Sequence, residues 1–264
     1  MSEAVPKRPG RRPDGPYGFT VDFWHTLAVL TPTDERRLTS ARDAVWVRRL
    51  VRAGVPESRA FELRRGLARW NEREESAGRA PSLAAQIDRV EAWSGVRLPL
   101  APLRRALDRL VDTARLRAPP NAHRVLRDLR RAGVRLAVVS NVINESPAAI
   151  RRAIRRLGYG RIFRALVFSA EYPFSKPDPR IYRVALKALG VAPGRSAHIG
   201  DLPLDERGAR AAGMAAIRLV PATLGPRRPR SRARPAERAG TKRLVANGWE
   251  SLTADRVVAL LRRG

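Results

Sequence analysis

Apolar residues follow two different rhythms along this chain, and the change between them divides it. From about Ala28 to Pro120 they recur at helical spacing, and no segment alternates as a half-buried strand would. The stretch LRRALDRLVDTA sets Leu103, Leu107, Leu110 and Ala114 on one stripe, and ESRAFELRRGLARWNEREE is amphipathic in the same way. Trp46, Trp70 and Trp93 fall within these helices and are expected in the core of a small bundle rather than around a substrate.

After Pro119-Pro120 short apolar runs alternate with helical periods. Helix NAHRVLRDLRRAG leads to strand VRLAVVS, and helix SPAAIRRAIRRLG leads to strand ALVFS. Helix DPRIYRVALKALG, strand SAHIG, helix LDERGARAAG and strand AAIRLV follow, and SLTADRVVALLRRG closes the chain as a helix. A further apolar run, YGFTV, precedes the helical region and ends at Asp22. Such alternation predicts an α/β fold, a parallel sheet covered on both faces. The expected division is a leader over residues 1–16, an α/β core over 17–27 and 119–264, a helical insertion over 28–118, and a flexible basic loop over 222–243 within the core.

In a sheet of this kind ligands bind beyond the carboxyl ends of the strands. Those ends carry Asp22, Ser140 with Asn141, and Asp201, while Lys176 follows the strand ending near Ser169. Asp22 and Asp201 have the hard oxygen donors that Mg²⁺ takes, and Asp205, four residues on, is placed to hold a metal-bound water. Lys176 is suited to neutralising a carboxylate nucleophile and a phosphoryl oxygen, and the Ser140 hydroxyl to binding another. The plainer alternative is that these side chains cap strands and helices, which Asp205 in a helix's first turn would do well.

Composition narrows the picture only a little. The 264 residues contain no cysteine, which removes disulfides and thiolate chemistry. No apolar run approaches a membrane span, and the leader has no apolar middle, so a cytoplasmic protein is expected. The net charge of +28 comes almost wholly from arginine, since lysine occurs only at Lys7, Lys176, Lys187 and Lys242. The arginines are spread along the helices, and only residues 225–243 form a dense basic run; the charge therefore reads as a solvated surface and not as a nucleic-acid site.

Four stretches, in order and at suitable intervals, resemble the haloacid dehalogenase-like hydrolase superfamily. VDFWHTL resembles its first motif, a strand ending in D-x-D-x-T; LAVVSN the second; SKPDPRIYRVAL the third; HIGDLPLDERGARAAGM the fourth. The resemblance implies a Rossmann-like doubly wound sheet, with the helical insertion as a cap domain between the first and second motifs. It implies that Asp22 is the nucleophile, forming an aspartyl intermediate that water hydrolyses, and that Lys176 stabilises charge. Mg²⁺ would be held by Asp22, Asp201 and the backbone carbonyl of Trp24, with Asp205 beside it. Thr26, Ser140, Asn141 and Lys176 would hold a small phosphorylated substrate.

Trp24 departs from that pattern, because the family's phosphatases carry there the carboxylate that protonates the leaving alkoxide and then activates water. An indole does neither. General acid–base help is worth roughly 10²- to 10⁴-fold, so an ordinary alkyl monoesterase should be badly impaired. Three readings follow. One is a Mg²⁺-dependent phosphohydrolase whose leaving group needs no proton, with His25 as a partial substitute or merely a turn residue. Another is carbon–halogen hydrolysis, since the superfamily's dehalogenases have an aromatic residue at this point; the Gly200-Asp201 pair, a cation ligand they lack, favours phosphate. The last is a catalytically weak binder of a phosphorylated ligand or a protein. Phosphonate cleavage is set aside, because residues 28–118 contain no lysine for a Schiff base.

Overall fold

The computed structural model describes residues 15–79, 81–220 and 243–262. Nearly all of the expected leader lies outside them, as does the basic loop apart from Arg243. The core is one six-stranded sheet of β1 (Gly18–Val21), β2 (Arg135–Ser140), β3 (Ala165–Phe168), β4 (Ser196–Gly200), β5 (Ala215–Val220) and β6 (Arg243–Asn247). Strand order is β3-β2-β1-β4-β5-β6 and every pairing is parallel. The chain builds outward from β1 first to one side and then to the other. The order therefore reverses between β1 and β4, which opens a crevice beyond their carboxyl ends.

Burial on both faces explains why these strands read as near-continuous apolar runs. Phe19, Val21, Leu136 and Val138 face α5 (Ala122–Arg131), α6 (Pro147–Arg156) and α9 (Ala254–Arg262). Ala137, Val139 and Ala216 face α7 (Pro179–Leu189) and α8 (Pro203–Ala211). β6 was not foreseen: RLVAN follows directly on the basic run, whose charge and glycines hide the strand's start. It pairs with β5 from Ala216↔Arg243 to Val220↔Asn247.

Between β1 and α5 the chain forms α1 (Pro32–Arg52), α2 (Glu57–Ser76), α3 (Leu83–Ser94) and α4 (Leu100–Thr113). Thr31 starts α1 by accepting the Asp34 N–H at 3.1 Å, with Pro32 in the first turn. These helices bury an apolar cluster of their own, including Trp46, Leu50, Leu67, Val90, Leu103 and Leu107. Trp46 is fully buried and Trp70 packs against the cluster, but Trp93 corrects the expectation of a core residue. It is 37% exposed and lies over Gly66, where α2 offers no side chain to enclose it. Val29 and Arg117 bond each other's backbones at 2.9 and 3.0 Å, so the segments leaving and re-entering the core run side by side.

Polar contacts tie these helices to the loop after β2 and to α6. Asp108 accepts the N–H and hydroxyl of Ser146, each at 2.7 Å, and Arg152 grips Asp112 with two hydrogen bonds. Gln86 donates to the Ile143 carbonyl at 2.7 Å, and Arg42 pairs with the buried Glu145.

Candidate active site

Register decides which side chains meet. Val21 stands opposite both Val138 and Ile199, so Asp22 comes level with Val139 and Gly200, and β4 and β2 run slightly further before Asp201 and Asn141 leave them on the same rim. Asp22 is the first beyond β1, and its N–H donates to the Ile199 carbonyl at 2.9 Å. Asp201 is the first beyond β4. Carboxylate oxygens of Asp22, Asp201 and Asp205 lie within 4.8 Å of one another.

Lys176 arrives from the loop before α7 with its ammonium in this cluster, donating to Asp22 Oδ1 and Asp205 Oδ1, each at 2.6 Å. Asp205 also accepts the Leu202 N–H on Oδ2 at 2.9 Å, and so caps α8 while it holds the lysine. The functional and the capping readings of Asp205 thus describe one side chain. Gly200 makes this possible, because a Cβ there would lie 2.3 Å from the Asp205 carboxyl.

Burial and charge pull these groups apart in acidity. Burial pushes Asp22 up to about 6, opposed by Lys176 and reinforced by repulsion from Asp205 and Asp201. Asp201 is likewise raised, by burial first and Asp205 second. Burial would raise Asp205 too, but Lys176 and His198 outweigh it and hold this carboxyl well below the usual range. Burial would lower Lys176, yet Asp205 and Asp22 keep it above the ordinary ammonium value.

Beneath the rim, His198 Nε2 lies 3.3 Å from Asp205 Oδ1, and its Nδ1 lies 2.9 Å from the Thr20 hydroxyl. Burial disfavours the charged ring and lowers the pKa of His198 below the ordinary histidine value. Because a carboxylate only accepts, these partners place the proton of the neutral ring on Nε2. The sequence reading missed His198 and Thr20. The available signal was two polar residues facing each other in register within buried parallel strands.

The turn after Asp22 is closed by two N–H groups, of Leu27 and Ala28, on the Phe23 carbonyl, and by His25 N–H on the Ala28 carbonyl. His25 sits at φ 55°, a left-handed conformation costing a non-glycine residue about 1–2 kcal/mol. Its Nε2 lies 3.4 Å from Glu35 of α1. Thr26 is fully buried; its hydroxyl has no hydrogen-bond partner among the described residues, and its carbonyl accepts the Trp249 indole N–H at 2.7 Å. Trp24 is half-buried, with the Arg42 guanidinium 5.3 Å from its ring centroid.

Ser140 is buried at the end of β2, and among the described residues its hydroxyl donates only to the Asn141 carbonyl, at 3.3 Å. Asn141 is committed to protein partners. Its Oδ1 accepts the Lys176 N–H at 2.9 Å, and its Nδ2 donates to the Lys176 carbonyl at 3.1 Å and to Glu75 of α2 at 2.6 Å. The amide thus clamps the lysine's backbone and also meets the helical insertion.

A doubly wound parallel sheet, a carboxylate beyond its first strand and a lysine bridging two carboxylates thus form one rim, at which all four of the sequence stretches meet. The family model for haloacid dehalogenase-like hydrolases matches residues 19–213, and the chain belongs to that family. Among curated proteins it is 40% identical over 99 residues to a phosphoserine phosphatase of Thermus thermophilus. It is also 40% identical over 108 residues to a glyceraldehyde 3-phosphate phosphatase of Methanothermobacter thermautotrophicus. These alignments cover 37% and 40% of this chain, and 39% and 46% of the relatives' own lengths. Among solved structures it is similar in fold to CbbY from Rhodobacter sphaeroides in complex with phosphate, at TM-score 0.55 and 21% identity over 89% of this chain and 95% of that one. A hydrolase of the same family from Entamoeba histolytica gives TM-score 0.58 at 15% identity, over 93% and 99%.

Proposed function

We propose that this chain is a Mg²⁺-dependent phosphohydrolase that transfers the phosphoryl group of a small phosphorylated compound to Asp22 and then to water. The observation that carries this reading is the convergence of Asp22, Asp201 and Asp205 on one point with a single lysine among them. Three carboxylates against one ammonium leave two negative charges uncompensated. Their oxygen donors and that excess suit a hard divalent cation. Asp22, Asp201 and the Trp24 carbonyl would hold Mg²⁺, which when bound would neutralise charge on the phosphoryl oxygens; Asp205 is already shared between Lys176, His198 and Leu202, and serves mainly to fix the lysine.

In this scheme an Asp22 oxygen attacks phosphorus in line with the departing group. Lys176 keeps Asp22 ionised and offsets developing charge on the phosphoryl oxygens. The Ser140 hydroxyl and the Thr26 hydroxyl, which has no partner among the described residues, are the neutral groups assigned to orienting the phosphoryl group and the nucleophile. The four-helix insertion acts as a cap that excludes water and selects the leaving group. Because Trp24 offers no proton, substrates whose leaving group departs as a stable anion, acyl and aryl phosphates, should be preferred to alkyl phosphates. The named relatives support phosphate as the group transferred.

The test is hydrolysis of acetyl phosphate and p-nitrophenyl phosphate with Mg²⁺ and with a chelator. Release of phosphate that the chelator abolishes is the expected result. Halide release from a small 2-haloacid in chelator, without phosphatase activity, would instead make the chain a dehalogenase.

A further inference from the structure

Beside the carboxylate cluster lies a cavity of about 200 Å³, walled by the turn after β1, the loop after β2 and the helices α1 and α2. Trp24 and Asn141 line it, and each belongs to a loop that leaves the reacting rim. A substrate with its phosphoryl group at Asp22 would therefore extend its leaving group over Trp24 into this space. The volume suits a group of metabolite size.

Three carboxylates line the cavity in a chain with 53 basic against 25 acidic residues, and they are not equivalent. Glu145 is paired with Arg42, whose guanidinium also covers the Trp24 ring. Glu35 stands beside His25. Glu75 has only a neutral donor, the Asn141 amide at 2.6 Å, and enters none of the ion pairs found among the described residues. On the same wall, Asn144 Oδ1 is a buried acceptor without a hydrogen-bond partner. Among the described residues, the leaving-group side of the site thus holds a carboxylate outside every ion pair, and a second acceptor without a donor.

We infer that Glu75 selects substrates whose leaving group carries a cationic hydrogen-bond donor, an ammonium group, and rejects those whose leaving group carries a second anion. The inference rests on the phosphohydrolase reading for the position of the phosphoryl group. Its physical basis is that a charge pair in a recessed site contributes through attraction to the right partner and, as strongly, through repulsion of the wrong one. An ammonium would meet Glu75 and Asn144; a leaving-group carboxylate there would face Glu75, and the basic residues among the described lining, Arg42 and His25, already stand beside Glu145 and Glu35.

The experiment uses three aryl phosphates matched in leaving-group acidity: tyramine phosphate, para-propylphenyl phosphate and the phosphate ester of phloretic acid. They differ at the far end only, as cation, neutral and anion, and a phenolate leaves without a general acid. Dissociation constants by calorimetry and kcat/KM are both measured with Mg²⁺. The expected result is a preference of about tenfold for tyramine phosphate over the propyl ester, and a larger one over the phloretate ester. Glu75→Gln, which keeps an acceptor for Asn141, should erase most of the ranking, and Glu75→Lys should invert it; thermal unfolding checks that each variant folds. Equal treatment of the three esters by the wild type, or a ranking that survives both substitutions, overturns the inference. Turnover without charge preference would overturn it while the phosphohydrolase reading stands. Charge-selective binding without turnover would support it and count against that reading.

Discussion

The ammonium of Lys176 stands 2.6 Å from the carboxylate of Asp22, a partner 154 residues earlier in the chain, and both side chains are almost wholly buried. Their contact links the first strand to the loop before α7. A second carboxylate, Asp205, shares the same ammonium.

Removing the cation should therefore unsettle the fold as well as the chemistry. Lys176→Met leaves Asp22 and Asp205 buried with no ammonium between them, a situation that typically costs about 3–5 kcal/mol. Denaturant unfolding should show a loss of that order, partly relieved in acid as Asp22 takes up a proton. A variant as stable as wild type near neutral pH would mean that the lysine is not the counter-charge of this cluster.

Asp22→Asn should have the opposite effect on stability. The folded-state value of Asp22, about 6, lies above its ordinary 3.8, so the native protein binds this proton more tightly than the unfolded chain does. Ionised Asp22 thus penalises the fold above about pH 6, and the wild type regains that stability as pH falls from 6 toward 4. In metal-free buffer near pH 8 the variant should be more stable by up to about 3 kcal/mol, with the difference fading in acid. Added Mg²⁺ should narrow the gap by stabilising the wild type alone. Equal stability at all pH values would contradict the assigned environment of Asp22.

Much of this was legible because the physics is local. The switch from helical period to alternating strands marked the sheet, and three of the four motifs lay at strand ends, where register brings Asp22 and Asp201 to neighbouring positions. What escaped the sequence was tertiary. His198 looks like any strand residue until Thr20 is seen opposite it. Asn141 reads as a substrate ligand until its amide is found on the backbone of Lys176 and on Glu75. Glu75, Arg42 and Glu145 are ordinary charges in helix and loop, and only the packing of the insertion on the loop after β2 turns them into cavity walls. β6 was lost because its strand pattern begins inside a basic run.

Gly200→Ala tests how tightly the rim is built. The new methyl would stand 2.3 Å from the Asp205 carboxyl, so Asp205 must move and Lys176 with it. Displacements of about 1 Å at such sites cost roughly a hundredfold in rate. Steady-state kinetics on acetyl phosphate should show a fall in kcat of that size in protein that still folds; unchanged kcat would mean that the Asp205–Lys176 contact is not needed.

Trp24→Asp tests the missing acid. A carboxylate at this position should raise hydrolysis of alkyl phosphates by roughly 10²- to 10⁴-fold relative to acetyl phosphate, whose leaving group needs no proton. The measurement is the ratio of kcat/KM values for the two substrates, which cancels general damage to the site. A ratio unaltered in a folded variant would show that proton supply is not what Trp24 withholds.

The central claim is that the Asp22 carboxylate is the group that accepts the phosphoryl group. The direct measurement is rapid acid quench of the protein turning over acetyl phosphate with Mg²⁺, followed by peptide mass spectrometry. A phosphoryl group should be found on the peptide containing Asp22, absent with chelator and absent in Asp22→Asn, which should also be inactive. Continued turnover by Asp22→Asn, or a phosphoryl group trapped on any other residue, would contradict the account.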